Sequence, residues 1–312
     1  MAVLRLRAAS PVFVLGGGSV VVGLDAFYKD GRLYLVDLSR GDLLSAVRGE
    51  LNLESVIKLA GSDPARFAYA VYPSPQLPEK TEVRLGTAPP ASSVKGLLRT
   101  AYLWRVLSRD GEAAGRFLKA VREAVAEGVH PKYVAAAGEA AVFKRHFPGG
   151  RALDVFNLVS VVERGAEVRF RVFRVDVLEG SAAKASFYAV GADRDSVFEY
   201  VVETRPLVSE SGKSEVVVTV EDLKEALDMF AGEVAKFEES RGLRPPCRGA
   251  VRLGFGAGRR WKTVLTLVER LDKSLFAEVV EYMARRLGRP WGDRTVKVAE
   301  GAPVGWVCYE WR

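Results

Sequence analysis

AEVRFRVFRVDVL, residues 166–178, alternates apolar and charged side chains with a period of two. Val168, Phe170, Val172 and Arg174 fall on one face, the pattern of a half-buried β-strand. Upstream the pattern is helical. From Ser92 to about His146 the chain reads as three helices, punctuated by glycines and by the His130-Pro131 step. Downstream, strand-like runs recur at 184–190, 198–204 and 215–220, then a helix from Glu221 to about Glu239 ends before Pro245-Pro246. A strand into a glycine loop, a helix near 274–287 and two terminal strands complete that half. At the other end, Leu4-Arg5-Leu6-Arg7 alternates, so 2–8 reads as a strand rather than a signal peptide. Residues 12–15 read as a second strand before a loop at Gly16-Gly17-Gly18. Residues 24–37 form a predicted hairpin turning at Lys29-Asp30-Gly31. Ser39 is placed to cap a helix through Val47, and another short helix starts at Leu53. Strands mixed with helices, without a regular βαβ rhythm, predict an α+β fold with antiparallel sheets. The change of character near residue 150 divides the chain into 1–150 and 151–312.

The 312 residues are 48% hydrophobic and 27% charged, enough for one large core or two ordinary ones. The formal charge of +7 suits a polyanion, because each Lys or Arg that meets a phosphate releases a counterion. A basic enzyme has the same balance. Cys247 and Cys308 are too few for a disulfide framework, so a reducing cytoplasm is expected. Histidine is limited to His130 and His146, asparagine to Asn52 and Asn157, and glutamine to Gln76, a scarcity typical of thermophiles. No Cys/His spacing suits zinc, no apolar run is long enough to span a bilayer, and no cofactor motif is present.

Three segments carry chemistry. In APPASSVKGLLRTAYLWRVL (88–107), Ser92 or Ser93 can cap a helix whose Val94, Leu97, Leu98, Ala101 and Leu107 face the core. Lys95 and Arg99 then share a face at the helix start, where free N–H groups favour a phosphate and Gly96 lets a nucleic-acid backbone come close. The plain alternative is a surface helix with two solvated cations. In RLGFGAGRRWKT (252–263), Gly254, Gly256 and Gly258 precede Arg259, Arg260 and Lys262. Glycines with positive φ can aim successive N–H groups into one anion cradle, whereas a tight turn between strand and helix needs the same residues. Trp261 before Lys262 excludes a Walker A loop; Phe255 and Trp261 can stack on bases or fill a core. PVFVLGGGS (11–19), with Gly16, Gly17 and Gly18, is a third candidate cradle.

Together, in this order, the segments resemble the RAMP proteins of CRISPR systems, most of all the fifth subunit of the type III-A Csm effector complex. That family carries P-x-h-I-G-x-G (h is a hydrophobic residue), then a hairpin ending in aspartate, P-G-S-S-h-K-G-x-h-R-T, G-F-G-x-G-x-x-x-K-T and a closing G-W. The counterparts here are Pro11–Gly18, Asp37, Pro90–Gly96 with Arg99-Thr100, Gly254–Thr263, and Gly305-Trp306. Ala91 replaces a glycine, Phe13 a frequent histidine, and Leu15 the first glycine of its loop. The resemblance implies two RRM-like (ferredoxin-like) domains with antiparallel sheets, the first carrying a helical insertion and the second the glycine-rich loop. It implies a non-catalytic, cytoplasmic subunit that caps the 3′-end side of a guide RNA in antiviral defence. Such a subunit holds the RNA backbone and packs against a neighbouring backbone RAMP subunit, with no cofactor and no membrane. The implied RNA contacts are Ser92, Ser93, Lys95, Gly96, Arg99, the two glycine loops, Arg259, Arg260 and Lys262.

Two rival readings stand beside it. One is the RAMP endoribonuclease that cuts the repeat transcript, for which His130 or His146 would have to act as general base. The other is a docking protein that uses the helices of 111–146 and meets RNA only incidentally.

Overall fold

The computed structural model describes residues 1–312 except 148, 149, 151, 209–213, 259, 262, 263, 289, 291, 293 and 294. β1 (Ala2–Ala8) buries Leu4 and Leu6 and turns Arg5 and Arg7 outward. β2 (Val14–Val21) carries the three glycines inside the strand, not in a loop after it. β3 (Ala26–Lys29) and β4 (Arg32–Val36) form the expected hairpin, with Asp30 (φ 49°) and Gly31 (φ 72°) both left-handed as a two-residue turn requires. α1 (Gly41–Ala46) starts after Arg40 without a side-chain cap. Ser39 does not cap it, because its hydroxyl and N–H both donate to Asp37 Oδ1. α2 (Leu53–Ser62), capped by Asn52, and the single turn α3 (Pro64–Phe67) lead into β5 (Ala68–Pro73) and β6 (Glu82–Thr87).

The three expected helices follow as α4 (Ala91–Arg109), α5 (Gly111–Ala126) and α6 (Pro131–Phe143), the last two capped by Asp110 and His130. The short pair β7 (Lys144–His146) and β8 (Ala152–Asp154) closes that region. The alternating run at 166–178 is two strands, β9 (Val159–Glu167) and β10 (Phe170–Glu179), broken at 168–169. β10 is also buried on both faces, with Val172 on one side and Phe173 and Val175 on the other, while Arg174 is exposed. β11 (Ala182–Ala192) and β12 (Val197–Thr204) match their expected runs. The run at 215–220 does not become a strand beyond the two-residue pair β13 (Leu207–Val208) and β14 (Ser214–Glu215). Instead Thr219 and Asp222 form a reciprocal capping box that starts α7 (Val220–Ser240). Last come β15 (Ala250–Arg252), α8 (Leu265–Leu271), α9 (Lys273–Leu287), β16 (Thr295–Ala299), β17 (Ala302–Pro303) and β18 (Trp306–Trp311).

One sheet has the order β15-β18-β1-β12-β9, antiparallel throughout. Read as β1-α4-β9-β12-α7-β18, it is a strand–helix–strand–strand–helix–strand unit, the ferredoxin-like arrangement. α4 and α7 pack on each other through Trp104 and Phe230 (ring centroids 5.9 Å) and through Arg105, which pairs with Asp222 at 2.8 Å and Glu225 at 2.7 Å. α5 and α6 are the helical insertion between α4 and β9. The second sheet has the order β17-β16-β10-β11-β6-β2 and is antiparallel apart from the β6–β11 pair. One face packs on the β3-β4-β5 sheet, the other on Phe13, Val304 and Phe255, which explains the double burial of β10. Residue 150 falls between α6 and β9, and strands from both sides of it build each large sheet.

Cys247 and Cys308 are bonded to each other, their Cα atoms 6.3 Å apart, a single disulfide that the reading of two cysteines as too few for a framework did not anticipate. Antiparallel pairing sets Ala250 opposite Cys308 and so brings Cys247 within reach.

Candidate nucleic-acid interface

Pro90, extended at φ −67° and ψ 156°, is the N-cap of α4, since the residue before a helix must leave the helical region and proline supplies no N–H. The hydroxyl of buried Tyr200 donates to the Pro89 carbonyl and fixes this approach. Ser92 and Ser93 lie in the first turn and do not cap it. The Ala91 N–H instead donates to Glu163 Oε1 at 3.1 Å, so a carboxylate already rests on the helix start.

Lys95 and Arg99 share the expected face but are not equivalent. Burial lowers the Lys95 pKa, Asp154 opposes the shift and Arg99 adds to it. Arg99 is clamped between Glu139 (2.7 Å) and Asp154 (2.8 Å) with its guanidinium 4.2 Å from the Phe143 ring centre. Burial works against its charge, but the two carboxylates outweigh it and raise its pKa. Arg99 ties α4 to α6 and to the turn before β9, so it is not the solvated cation of the plain alternative.

The glycine loop is built by close backbone approach. A Cβ on Gly254 (φ 67°) would lie 2.3 Å from the Phe13 carbonyl oxygen, and one on Gly256 would lie 2.1 Å from that of Val304. Left-handed geometry, expected at all three glycines, holds at Gly254 and Gly258 (φ 68°) but not at Gly256, which is needed for space. The Phe255 N–H donates to the Phe13 carbonyl at 2.7 Å, and Leu253 and Gly305 make similar bonds at 2.8 Å to Gly305 and Pro11. These donors join the loop to the N-terminal segment and are not aimed at an anion. In β2 the register against β6 shifts between Leu15 and Ser19, so Gly16–Gly18 bulge from an edge strand with their backbone exposed.

All three segments meet in one cleft of about 460 Å³. Leu15 lines it from β2, Ser93, Gly96 and Arg99 from α4, and Gly254 and Phe255 from the loop. Ser92 and Lys95 lie in the same turns of α4, and Gly16–Gly18 follow Leu15. Gly256 is buried within the loop, while Gly258 and Arg260 line a separate cavity on its other side. Arg260 pairs with Glu269 at 2.9 Å and lies over the Phe237 ring. Arg259 and Lys262 are outside the described residues. Trp261 is core, edge-on to Phe230 and Phe237; half-buried Phe255 meets Phe187 edge-on at 5.6 Å.

Sequence reasoning missed Arg252. It is 5% exposed, forms part of the wall of both the cleft and the cavity, donates from Nη2 to the Gly256 carbonyl at 2.8 Å, and lies over Trp306. Burial pulls its pKa down to about 10, with Glu238 opposing, which leaves it charged at neutral pH. An arginine inside an apolar strand one residue before Leu253-Gly254 was the available signal. Neither histidine lines the cleft: His130 Nδ1 accepts the Lys132 N–H as a helix cap, and His146 is exposed on β7. Among the described residues no three His, Cys, Asp or Glu side chains are grouped to hold a metal ion, and no helix is long and apolar enough to cross a membrane.

No protein-family model and no curated protein matches the chain. Solved structures do. A chain of a Csm–crRNA–target RNA ternary complex from a type III-A CRISPR-Cas system is 19% identical, with a TM-score of 0.70 over 99% of this chain and 100% of that one. Csm5 of T. onnurineus is 16% identical, with a TM-score of 0.56 over 97% of this chain and 99% of its own. From end to end, the chain shares its fold with these two Csm proteins.

Proposed function

We propose that this chain is a non-catalytic, RNA-binding subunit of a type III-A CRISPR effector complex, and that it caps the 3′-end side of the guide RNA beside a backbone RAMP subunit. The observation that carries the proposal is the convergence of three segments, far apart in sequence, on one cleft in a chain of charge +7. The cleft offers the α4 start, an exposed glycine at 96 and the exposed backbone of the β2 bulge, features suited to an RNA backbone rather than to base reading. The likeness to a chain of a Csm–crRNA complex supports the same reading. Lys95, with no ion pair among the described contacts, is the phosphate-binding cation; Arg99 acts behind it by holding the helix. Affinity purification of the tagged chain from its native host, with sequencing of bound RNA and identification of co-purified proteins, tests the proposal. Guide RNAs and Csm-type subunits are expected. Free protein with neither would refute it.

A further inference from the structure

Next to the cleft, one face of the second sheet carries cations laid over aromatic rings. Ser19, the residue after the Gly16–Gly18 bulge, stands opposite Arg84 of β6, and Arg84 stands opposite Ala189 of β11. Residues opposite each other in a sheet share a face, and so do residues two apart on one strand, so Arg84 and Phe187 rise on the same side. That is the side on which Phe13, Val304 and Phe255 pack. There the Arg84 guanidinium lies over the Phe187 ring, 4.6 Å from its centre. Phe187 meets Phe255 edge-on at 5.6 Å, and Lys297 Nζ lies over the Phe255 ring at 5.3 Å. The contacts run cation, ring, ring, cation. Both rings are only half-buried, and Arg84 is exposed with no ion pair among the described contacts. Half-exposed rings and guanidinium groups on a sheet face are what single-stranded RNA stacks its bases on. The row is also continuous with the cleft. Phe255 belongs to both, and the exposed backbone of Gly16–Gly18 leads from Leu15 in the cleft wall to Ser19 beside Arg84.

We infer that the RNA strand held in the cleft continues over the β2 bulge onto this face, where one of its bases stacks on the Arg84 guanidinium with the Phe187 ring beneath it. The inference rests on the RNA-binding reading of the cleft and adds a stacking subsite on β6 and β11. Stacking uses the flat face that every base has, so the subsite is indifferent to sequence. Arg84→Lys is the informative variant. It keeps a positive charge for a phosphate and removes the planar group on which a base can stack. Binding of the full chain, wild type and variant, is measured at low salt to a single-stranded RNA and to the same strand built from abasic ribonucleotides, which phosphate contacts alone can hold. Arg84→Lys should weaken binding of the intact strand about tenfold and leave the abasic strand unchanged. Unchanged affinity for the intact strand overturns the inference while the RNA-binding reading stands. An equal loss on both strands also overturns it, since Arg84 would then serve the RNA backbone. If wild type binds neither strand, the RNA-binding reading fails first and this inference with it. Should Arg84→Lys not fold, 4-thiouridine crosslinking of the wild-type chain decides the matter. Crosslinks at Arg84 or Phe187 support the subsite; crosslinks confined to α4 and the glycine loop overturn it.

Discussion

At Gly256 a single methyl group has no room: the Val304 carbonyl oxygen would lie 2.1 Å from it. Gly256→Ala is therefore expected to destabilise the fold by about 2–3 kcal/mol through local overpacking, and chemical denaturation would show it. Gly254→Ala should cost at least as much, since a left-handed φ adds strain to the clash with Phe13. The sequence made these glycines legible, but not their reason. Three alternating glycines look the same whether they aim N–H groups at an anion or let backbones touch, and that choice depends on Pro11–Phe13 and Val304, hundreds of residues apart. Asp222 yields a pH prediction. Burial would raise its pKa, but the Thr219 hydroxyl and N–H and the Arg105 guanidinium outweigh burial and hold it below its ordinary 3.8. The unfolded chain then binds this proton at higher pH than the native one. The stabilisation is complete above about pH 4 and is lost as pH falls toward the lowered native value. Acid unfolding of Asp222→Asn, compared with wild type, should lack that component and start from lower stability at neutral pH.

At the scale of elements, the start of α4 divides its two cations between different tasks. Lys95→Ala should flatten the slope of log affinity against log salt by about 0.7, one phosphate on a single strand, with little loss of stability. Arg99→Ala should leave Glu139 and Asp154 facing each other without their cation and cost about 1–3 kcal/mol. A salt titration and a denaturation curve on each single variant separate the two roles. A reading of i, i+4 spacing alone assigned both residues to phosphate, because the carboxylates that claim Arg99 come from α6 and from the turn before β9. Helix α4 itself was legible, since its apolar stripe is the buried stripe. The segment at 215–220 was misread for a local reason: its β-branched residues favour a strand, yet Thr219 with Asp222 three residues on is a capping box, and α7 begins there. The glycines of 16–18 looked like a loop because a bulge in an edge strand leaves no periodic trace.

Across the whole molecule, the ferredoxin-like sheet pairs strands that begin at residues 2, 159, 197 and 306. No local pattern announces such neighbours; the α+β class was readable, but the partition of strands between two sheets was not. The Cys247–Cys308 bond was hidden for the same reason, with 61 residues separating the two cysteines. Loop-closure entropy for that span predicts that reduction lowers stability by up to about 4 kcal/mol. Thermal melts with and without reductant should show the drop, and Cys247→Ser should melt low under both conditions. The cleft is a different kind of whole-molecule property, since it exists only where the N-terminal strand, α4 and the glycine loop are folded together. Gly96 tests it most directly. It lies on the exposed face of α4, lines the cleft, and has nothing within 4 Å of the position a Cβ would take. Gly96→Leu should raise stability by about 0.5–1 kcal/mol, because leucine is the better helix former. It should also fill the place of the RNA backbone and weaken single-stranded RNA binding roughly tenfold or more, the loss of one charge-assisted contact. A variant that melts higher and binds RNA worse is the predicted result. A variant that melts higher and binds RNA as tightly as wild type would contradict the assignment of this cleft to RNA.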